Sequence, residues 1–484
     1  MTPSLAAIIA LARAGALDHA WAQFSAAGHD ARGDDPAALT VKGRLLKDHA
    51  LRASDEADRR RYYLQSAECY RASAALQPAT YPLINAATLS LLSGDRARAE
   101  EIAREVLERI AREPDEPETP YYRAATEAEA LLLLGRDDEA RAMLDAAVAA
   151  APYAWEDHAS TLRQFLVIQQ VLGGETNWLD LLRPPRSLHY SAGKDAALDP
   201  DRDVPAALDA DIGFGFGALA AGSEILTAEA LLARGAELHV VLPSDAARFA
   251  ARFVDPCGGA WRARFDATLA AAESVRCVRP LDRAPDAAAV ALADRVAHGA
   301  ALLNAERLMG EAAQSRPQGD AALPGLALLA IRVGGGTGIG FEDRLSEVRD
   351  ALGAENEPAL APYLVGDTIL IGYADCGATA AAARRVHARL RDSMVLQIAG
   401  HYGLIDCVRD PFSQVVRPVG SGVDIAETIA DSSPPGSICV SDDFAAVLAV
   451  GSADQGEASW IGEIQARDGG PAIGLYSLKS GAAS

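Results

Sequence analysis

Between Asp211 and Gly217 the chain reads Asp-Ile-Gly-Phe-Gly-Phe-Gly, and Gly222-Ser223-Glu224 follows at the head of an alanine- and leucine-rich stretch. Glycines at such spacing let backbone amides approach a phosphate, and the N-terminus of a following helix adds a favourable dipole. The expected chemistry is therefore nucleotide binding by a Gly-rich loop, with Gly213, Gly215, Gly217 and Gly222 at the ligand and Glu224 beside them. Glu229, farther along the same stretch, is placed to contact a ribose or to act as a base. The glycines serve close packing equally well, and Glu229 also fits a helix cap or a solvated carboxylate. A second position of interest is Asp367, in Val365-Gly366-Asp367-Thr368. Its carboxylate suits a divalent cation, and an aspartate also suits a hairpin turn. The six cysteines, at 69, 257, 277, 376, 407 and 439, form no CxxC and no cysteine–histidine cluster of zinc spacing, so isolated thiols are expected rather than a metal site. A formal net charge of -22 opposes nucleic acid as a partner, since phosphates would be repelled over most of the surface.

At 484 residues, half of them hydrophobic, the chain exceeds one ordinary core and calls for several domains. Residues 1–180 alternate alanine-rich helical patterns with Gly-Asp or Gly-Arg breaks, as stacked helical hairpins require. Pro184-Pro185 ends that pattern. Residues 184–310 then read as strand, Gly-rich loop, helix and strand, the last being Glu237 to Leu242, a buried parallel strand. Ala312 to Asp320 reads as a polar linker. From 322 to 481 the order is strand (Leu326 to Val333), helix (Phe341 to Leu352), hairpin (Leu364 to Tyr373), helix (Ala378 to Arg391), strand (Val395 to Gly403), helix (from Val423), strand (Ile438 to Ser441) and helix (Asp443 to Ala449). The fold class expected is multidomain: all-α helical repeat, α/β Rossmann-like middle, and an α+β tail. No run reaches the roughly 18 apolar residues of a membrane span, and no basic segment precedes the first apolar stretch. A cytoplasmic location is expected.

The front resembles degenerate tetratricopeptide repeats. Tyr81 to Leu89 and Ala159 to Gln164 resemble the helical domain called TRAFs-binding, which implies a protein-binding scaffold, with Asn85 and Arg163 as candidate contacts or as inter-repeat hydrogen-bonding groups. The middle, through Gly213 to Glu229, Arg234 to Pro243 and Trp261 to Phe265, resembles a Rossmann-like domain related to the nucleotide-sensing SLOG and TIR-like group. Gly193-Lys194 stands where relatives have Gly-His, and Gly222-Ser223-Glu224 where they have Gly-Ala-Asp. The tail resembles class III adenylate or guanylate cyclases through Val365-Gly366-Asp367, Gly400-His401-Tyr402-Gly403, Gly420 to Val423, Pro435 to Ser441 and Leu475 to Leu478.

That last resemblance implies two metal ions held by two aspartates at a site shared between paired domains. Asp367 matches one aspartate. Arg332 stands in place of the other, and a fixed cation there cannot coordinate Mg²⁺. Asp424 and Thr428 replace the asparagine and arginine that steady the transition state, and an acid there has the wrong sign. Gly334-Gly335-Gly336 replaces bulky residues of the first loop, and His401 reads as a packed strand-end histidine. The expected function is a non-catalytic signalling or regulatory scaffold with a pseudo-cyclase tail and a nucleotide-sensing middle. The alternatives are an active cyclase with an atypical site, or an enzyme processing a nucleotide in the middle domain. The cofactor expectation is a nucleotide, with Mg²⁺ only if cyclase chemistry persists. Expected partners are proteins at the repeats and, for the tail, a second copy or an active cyclase.

Overall fold

The computed structural model describes residues 3–112, 119–191, 211–278, 284–314, 325–334, 340–353, 357–451, 457–467 and 470–479. The chain divides into two compact units, Met1–Arg183 and Pro184–Ser484.

The first unit is helical: α1 Leu5–Arg13, α2 Leu17–Ala26, α3 Pro36–Arg52, α4 Glu56–Leu76, α5 Thr80–Ser93, α6 Arg96–Arg112, α7 Pro120–Leu133, α8 Asp137–Ala150 and α9 Trp155–Leu172, closed by a short 3-10 turn at Asn177–Leu182. Local chemistry sets the ends. Asp35, Asp55 and Thr119 accept backbone N–H bonds at the starts of α3, α4 and α7, each satisfying donors the helix cannot. Gly94, at φ 99°, ends α5 in the left-handed conformation, which a residue with a Cβ disfavours. Successive helices pack as antiparallel hairpins. Gly43 of α3 makes the closest approach, since a Cβ there would lie 2.8 Å from the Tyr70 ring of α4. Asn85 donates Nδ2 to the Tyr81 carbonyl of its own helix at 2.9 Å, and Arg163 lies exposed on α9.

The second unit contains two sheets. Its first half runs β1 Arg186–His189, β2 Ile212–Gly217, α10 Ser223–Leu232, β3 Glu237–Leu242, α11 Ala246–Phe253, α12 Trp261–Ala270, β4 Ser274–Cys277, α13 Ala287–Leu308 and β5 Ala312–Gln314. The strands form a five-stranded sheet in the order β4-β3-β2-β1-β5, and every neighbouring pair is parallel. One expectation changes here, and one strand is added. Ala312–Gln314, read as linker, is an edge strand, because its three residues find free partners on β1 at Ser187 to His189. Ser274–Cys277, too short and polar to signal a strand, pairs with β3. One sheet face buries Leu188, Tyr190, Leu238, Val240 and Leu242 against Ile225, Leu231, Phe249 and Phe265. α13 packs along β1, β2, β3 and β5.

The tail runs β6 Leu326–Val333, α14 Phe341–Leu352, β7 Leu360–Val365, β8 Thr368–Tyr373, α15 Cys376–Leu390, β9 Leu396–Gly403, β10 Asp406–Arg409, β11 Val416–Val419, α16 Ser421–Ser432, β12 Ile438–Ser441, α17 Asp442–Gly451, β13 Ala458–Ile464 and β14 Ile473–Leu478. Seven strands form one sheet, β13-β14-β12-β9-β6-β8-β7, and β10 with β11 forms a separate hairpin. β9 lies at the centre, and β6 beside it is antiparallel to both β9 and β8. Alternation along the strands separates two covers: Leu328, Ala330 and Ala399 bury against Ala426, Ile429 and Ala430 of α16, while Gly400 meets Phe444 of α17 on the other face.

Middle and tail, distinct in sequence pattern, share this unit because α13 and α17 cross at backbone contact. A Cβ on Gly299 would fall 1.9 Å from the Ala446 carbonyl oxygen. Arg276 on β4 adds an ion pair with Asp442 at 2.9 Å and bonds Asp443, both at the start of α17.

Candidate functional site

The glycines expected to cradle a phosphate do not form a loop. Gly213, Gly215 and Gly217 lie within β2, and the space of their missing side chains is filled. A Cβ would meet Pro185 at 2.1 Å from Gly213, Leu231 at 2.5 Å from Gly215 and the Tyr190 ring and carbonyl at 2.5 Å from Gly217. Close packing explains them. The loop proper spans Ala218 to Gly222, with Gly222 at φ 106° where few other residues fit. Glu224, 9% exposed, folds back and accepts the Ala220 N–H at 2.7 Å. A carboxylate of this chain thus holds the position beside the α10 N-terminus that an anion would occupy. Glu229 is paired: Arg264 Nε donates to Oε1 at 2.8 Å and its Nη2 bonds Oε2, while that guanidinium covers the Trp261 ring at 4.6 Å. Gly193-Lys194 lies outside the described residues.

The pattern of chemistry-bearing residues missed in the sequence lies on the other face of this sheet. His189 at the end of β1 shares a hydrogen bond with Asp294 of α13 at 3.1 Å and stacks on His298 at 5.1 Å, and Gln314 of β5 bonds His298. The His189 Nδ1 has no partner among the described residues. This is the boundary between β1 and β5, where strand order reverses, the place at which open parallel sheets hold ligands beyond their carboxyl ends. The four residues are spread over 126 positions of sequence, from 189 to 314, and only the crossover brings them together.

In the tail, β6 delivers Arg332 opposite Thr368 and Gln397, beside the turn formed by Gly366, at φ 60°, and Asp367. Arg332 Nε donates to Asp367 at 3.0 Å, and its Nη1 bonds Asp431 at the end of α16. Arg467 bonds the other oxygen of Asp431 and reaches Glu427 at 3.3 Å. Three carboxylates and two guanidiniums alternate in one line: Asp367, Arg332, Asp431, Arg467, Glu427. Asp367, expected as a metal ligand, instead accepts from Arg332. The residues present do not fit a metal pair, because a cation would have to displace Arg332 from both Asp367 and Asp431. Among the described residues no group of three or more His, Cys, Asp or Glu is placed to hold a metal. Thr428 is buried and donates to the Asp424 carbonyl at 2.6 Å within its own helix. Gly334 packs against the Val395 carbonyl at 3.2 Å, counted from the Cβ it lacks; Gly335 and Gly336 lie outside the described residues.

His401, 5% exposed in β9, bonds Ser441 Oγ through Nδ1 at 2.9 Å. Burial lowers its pKa to about 4; the Asp442 carboxylate opposes the shift and the Arg276 cation adds to it. Burial also pushes the Asp442 and Asp443 carboxyls up, against the attraction of Arg276. This node belongs to the contact between the two sheets.

Residues 5–90 match the Tetratricopeptide Repeats-Sensor family. No curated protein matches the chain. Similar solved structures include an adenylate cyclase of Trypanosoma brucei in its monomeric state, at 13% identity over 34% of this chain and 92% of that one, TM-score 0.28. An adenylate/guanylate cyclase/hydrolase of Silicibacter pomeroyi is 17% identical over 32% of this chain and 95% of its own, TM-score 0.25. The adenylyl cyclase CyaB of P. aeruginosa is 12% identical over 32% and 93%, TM-score 0.25. Among the described residues no helix is long and apolar enough to cross a membrane.

Proposed function

We propose that this chain is a non-catalytic regulatory scaffold, whose sensor-type repeats bind partners and whose tail is a pseudo-cyclase. The observation that carries the reading is Arg332, bonded to both Asp367 and Asp431 where metal-ion catalysis would need open carboxylates. The middle domain supplies ligand input, and we place the ligand, a nucleotide or related molecule, at the carboxyl ends of β1 and β5 rather than on the glycines of β2. The tail pairs with a second copy. Supporting this is the β10–β11 hairpin, whose tip holds Phe412 95% exposed. Asp410 stiffens that tip by accepting from Phe412 N and Ser413 Oγ at 2.8 and 2.7 Å. A rigid exposed aromatic is what an interface anchor requires.

The test is product formation from ATP and GTP with Mg²⁺ or Mn²⁺ by the full chain. No cyclic nucleotide is expected. Cyclic product that disappears in Asp367→Ala would restore the active-cyclase reading. Turnover of a nucleotide that persists in Asp367→Ala would favour an enzyme in the middle domain. Light scattering on the full chain and on Phe412→Ser reads the pairing: a dimer that dissociates in the variant supports it, and a monomeric parent at tens of micromolar refutes it.

A further inference from the structure

Five aromatic rings of the helical unit touch in a row across the starts of α7 and α9. Centroid to centroid, Tyr122 lies 5.4 Å from Tyr121, Tyr121 5.2 Å from His158, His158 5.3 Å from Trp155 and Trp155 6.3 Å from Tyr153. The middle of the row is buried and held. Tyr121 is 2% exposed and donates its hydroxyl to Thr161 Oγ1 at 2.8 Å. His158 is fully buried, and its Nε2 bonds the Ala151 carbonyl at 2.9 Å. The Ala154 N–H donates to that same carbonyl at 3.2 Å, so the turn carrying Tyr153 is pinned from two sides. The ends of the row face water, with Tyr153 82% and Tyr122 41% exposed. Carboxylates flank them. Glu156 is exposed in the first turn of α9, and Tyr122 donates its hydroxyl to Asp157 Oδ1 at 2.6 Å, which fixes that carboxylate beside the rings.

Acidic residues in a first turn suit the helix dipole, but that accounts for neither the exposed rings nor the bond from Tyr122. Rings held from beneath lose little freedom on binding, which is what an interface anchor requires. Their faces are electronegative and attract cations. A guanidinium fits such a surface better than an ammonium, because it is planar, stacks on a ring and donates to a carboxylate as a fork. The formal net charge of -22 favours a basic partner as well. We propose that this surface docks an arginine-rich segment of a partner protein, one guanidinium over the Tyr153 and Trp155 rings and another on Asp157. Docking here is one case of the partner binding proposed for the repeats, and it rests on that reading.

The experiment is fluorescence anisotropy of a labelled peptide of alternating arginine and glycine, titrated with the full chain at physiological ionic strength. Counterparts with lysine or citrulline in place of arginine separate charge from shape. The arginine peptide is expected to bind about threefold or more tightly than the lysine peptide, and about tenfold or more tightly than the neutral citrulline peptide. Tyr153→Ala and Asp157→Asn should each weaken it by about fivefold or more. Asp138→Asn removes one charge from an exposed position on α8 and should leave the affinity unchanged. Tyr153 is too exposed to support the core, and Asp157→Asn keeps an oxygen for Tyr122, so unchanged melting temperatures certify both folds. Equal binding of arginine and lysine peptides, or losses in Tyr153→Ala and Asp157→Asn no larger than in Asp138→Asn, would assign the binding to overall acidity and overturn this site while partner binding by the repeats stands. No binding by any of the three peptides overturns both.

Discussion

Acidification should weaken the second unit through His401, and the size follows from its burial. In the folded chain its pKa is lowered from 6.5 to about 4. Between those values the unfolded chain takes up a proton that the folded chain refuses, so this contribution to stability is complete above pH 6.5 and is lost as pH falls toward 4. Integrating one proton over that window, moving from pH 7.5 to pH 5 should cost about 2 kcal/mol, and the full shift about 3 kcal/mol. Asp442 and Asp443 act oppositely: carboxyls raised by burial contribute stability at low pH that is lost as pH rises through their folded values. The histidine term is therefore isolated by comparison with His401→Asn, whose side chain can still bond Ser441 but does not titrate. Urea unfolding of parent and variant at pH 7.5 and pH 5 measures it. The parent should lose about 2 kcal/mol more than the variant. Equal losses would mean that His401 is protonated in the folded chain or that Ser441 and Asp442 do not enclose it, and the packing argument would fail.

Three further outcomes follow from close contacts. Gly299→Ala should destabilise by about 1–3 kcal/mol in thermal unfolding, because backbone at Ala446 cannot yield as a side chain would; Gly451→Ala, where nothing lies within 4 Å, should be close to neutral. Arg276→Ala should cost about 3–5 kcal/mol by leaving Asp442 and Asp443 largely buried without their cation, measured by chemical denaturation at neutral pH. Gly215→Val should lower stability by about 1–3 kcal/mol through overpacking at Leu231, rather than remove a ligand from an intact fold; circular-dichroism melting distinguishes the two.

Local patterns in the sequence predicted much of the tail. β6, α14, β8, β9, β12 and α17 lie within a few residues of where apolar runs, helical periodicity and the Gly366-Asp367 turn place them. These are long or strongly patterned elements, whose conformation follows from side-chain alternation and turn chemistry. The positive charge at Arg332 was legible too, since it is visible from residue type alone. Its partners were not: Asp367, Asp431, Arg467 and Glu427 come from a turn, a helix and the segment after β13.

What the tertiary structure alone decided are the features that depend on long-range pairing. The Gly213–Gly217 run carries the composition of a phosphate loop, and nothing local distinguishes that from a strand whose glycines admit Pro185, Leu231 and Tyr190. β4 and β5 are too short to declare themselves, and exist because β3 and β1 offer open edges. The joining of middle and tail depends on Gly299 meeting Ala446 and Arg276 meeting α17, contacts between segments about 150 residues apart or more. The sequence by itself determined which elements form, through period and propensity acting over neighbouring residues; the approach of distant backbones determined which side chains meet, and so which candidate residues are free to do chemistry.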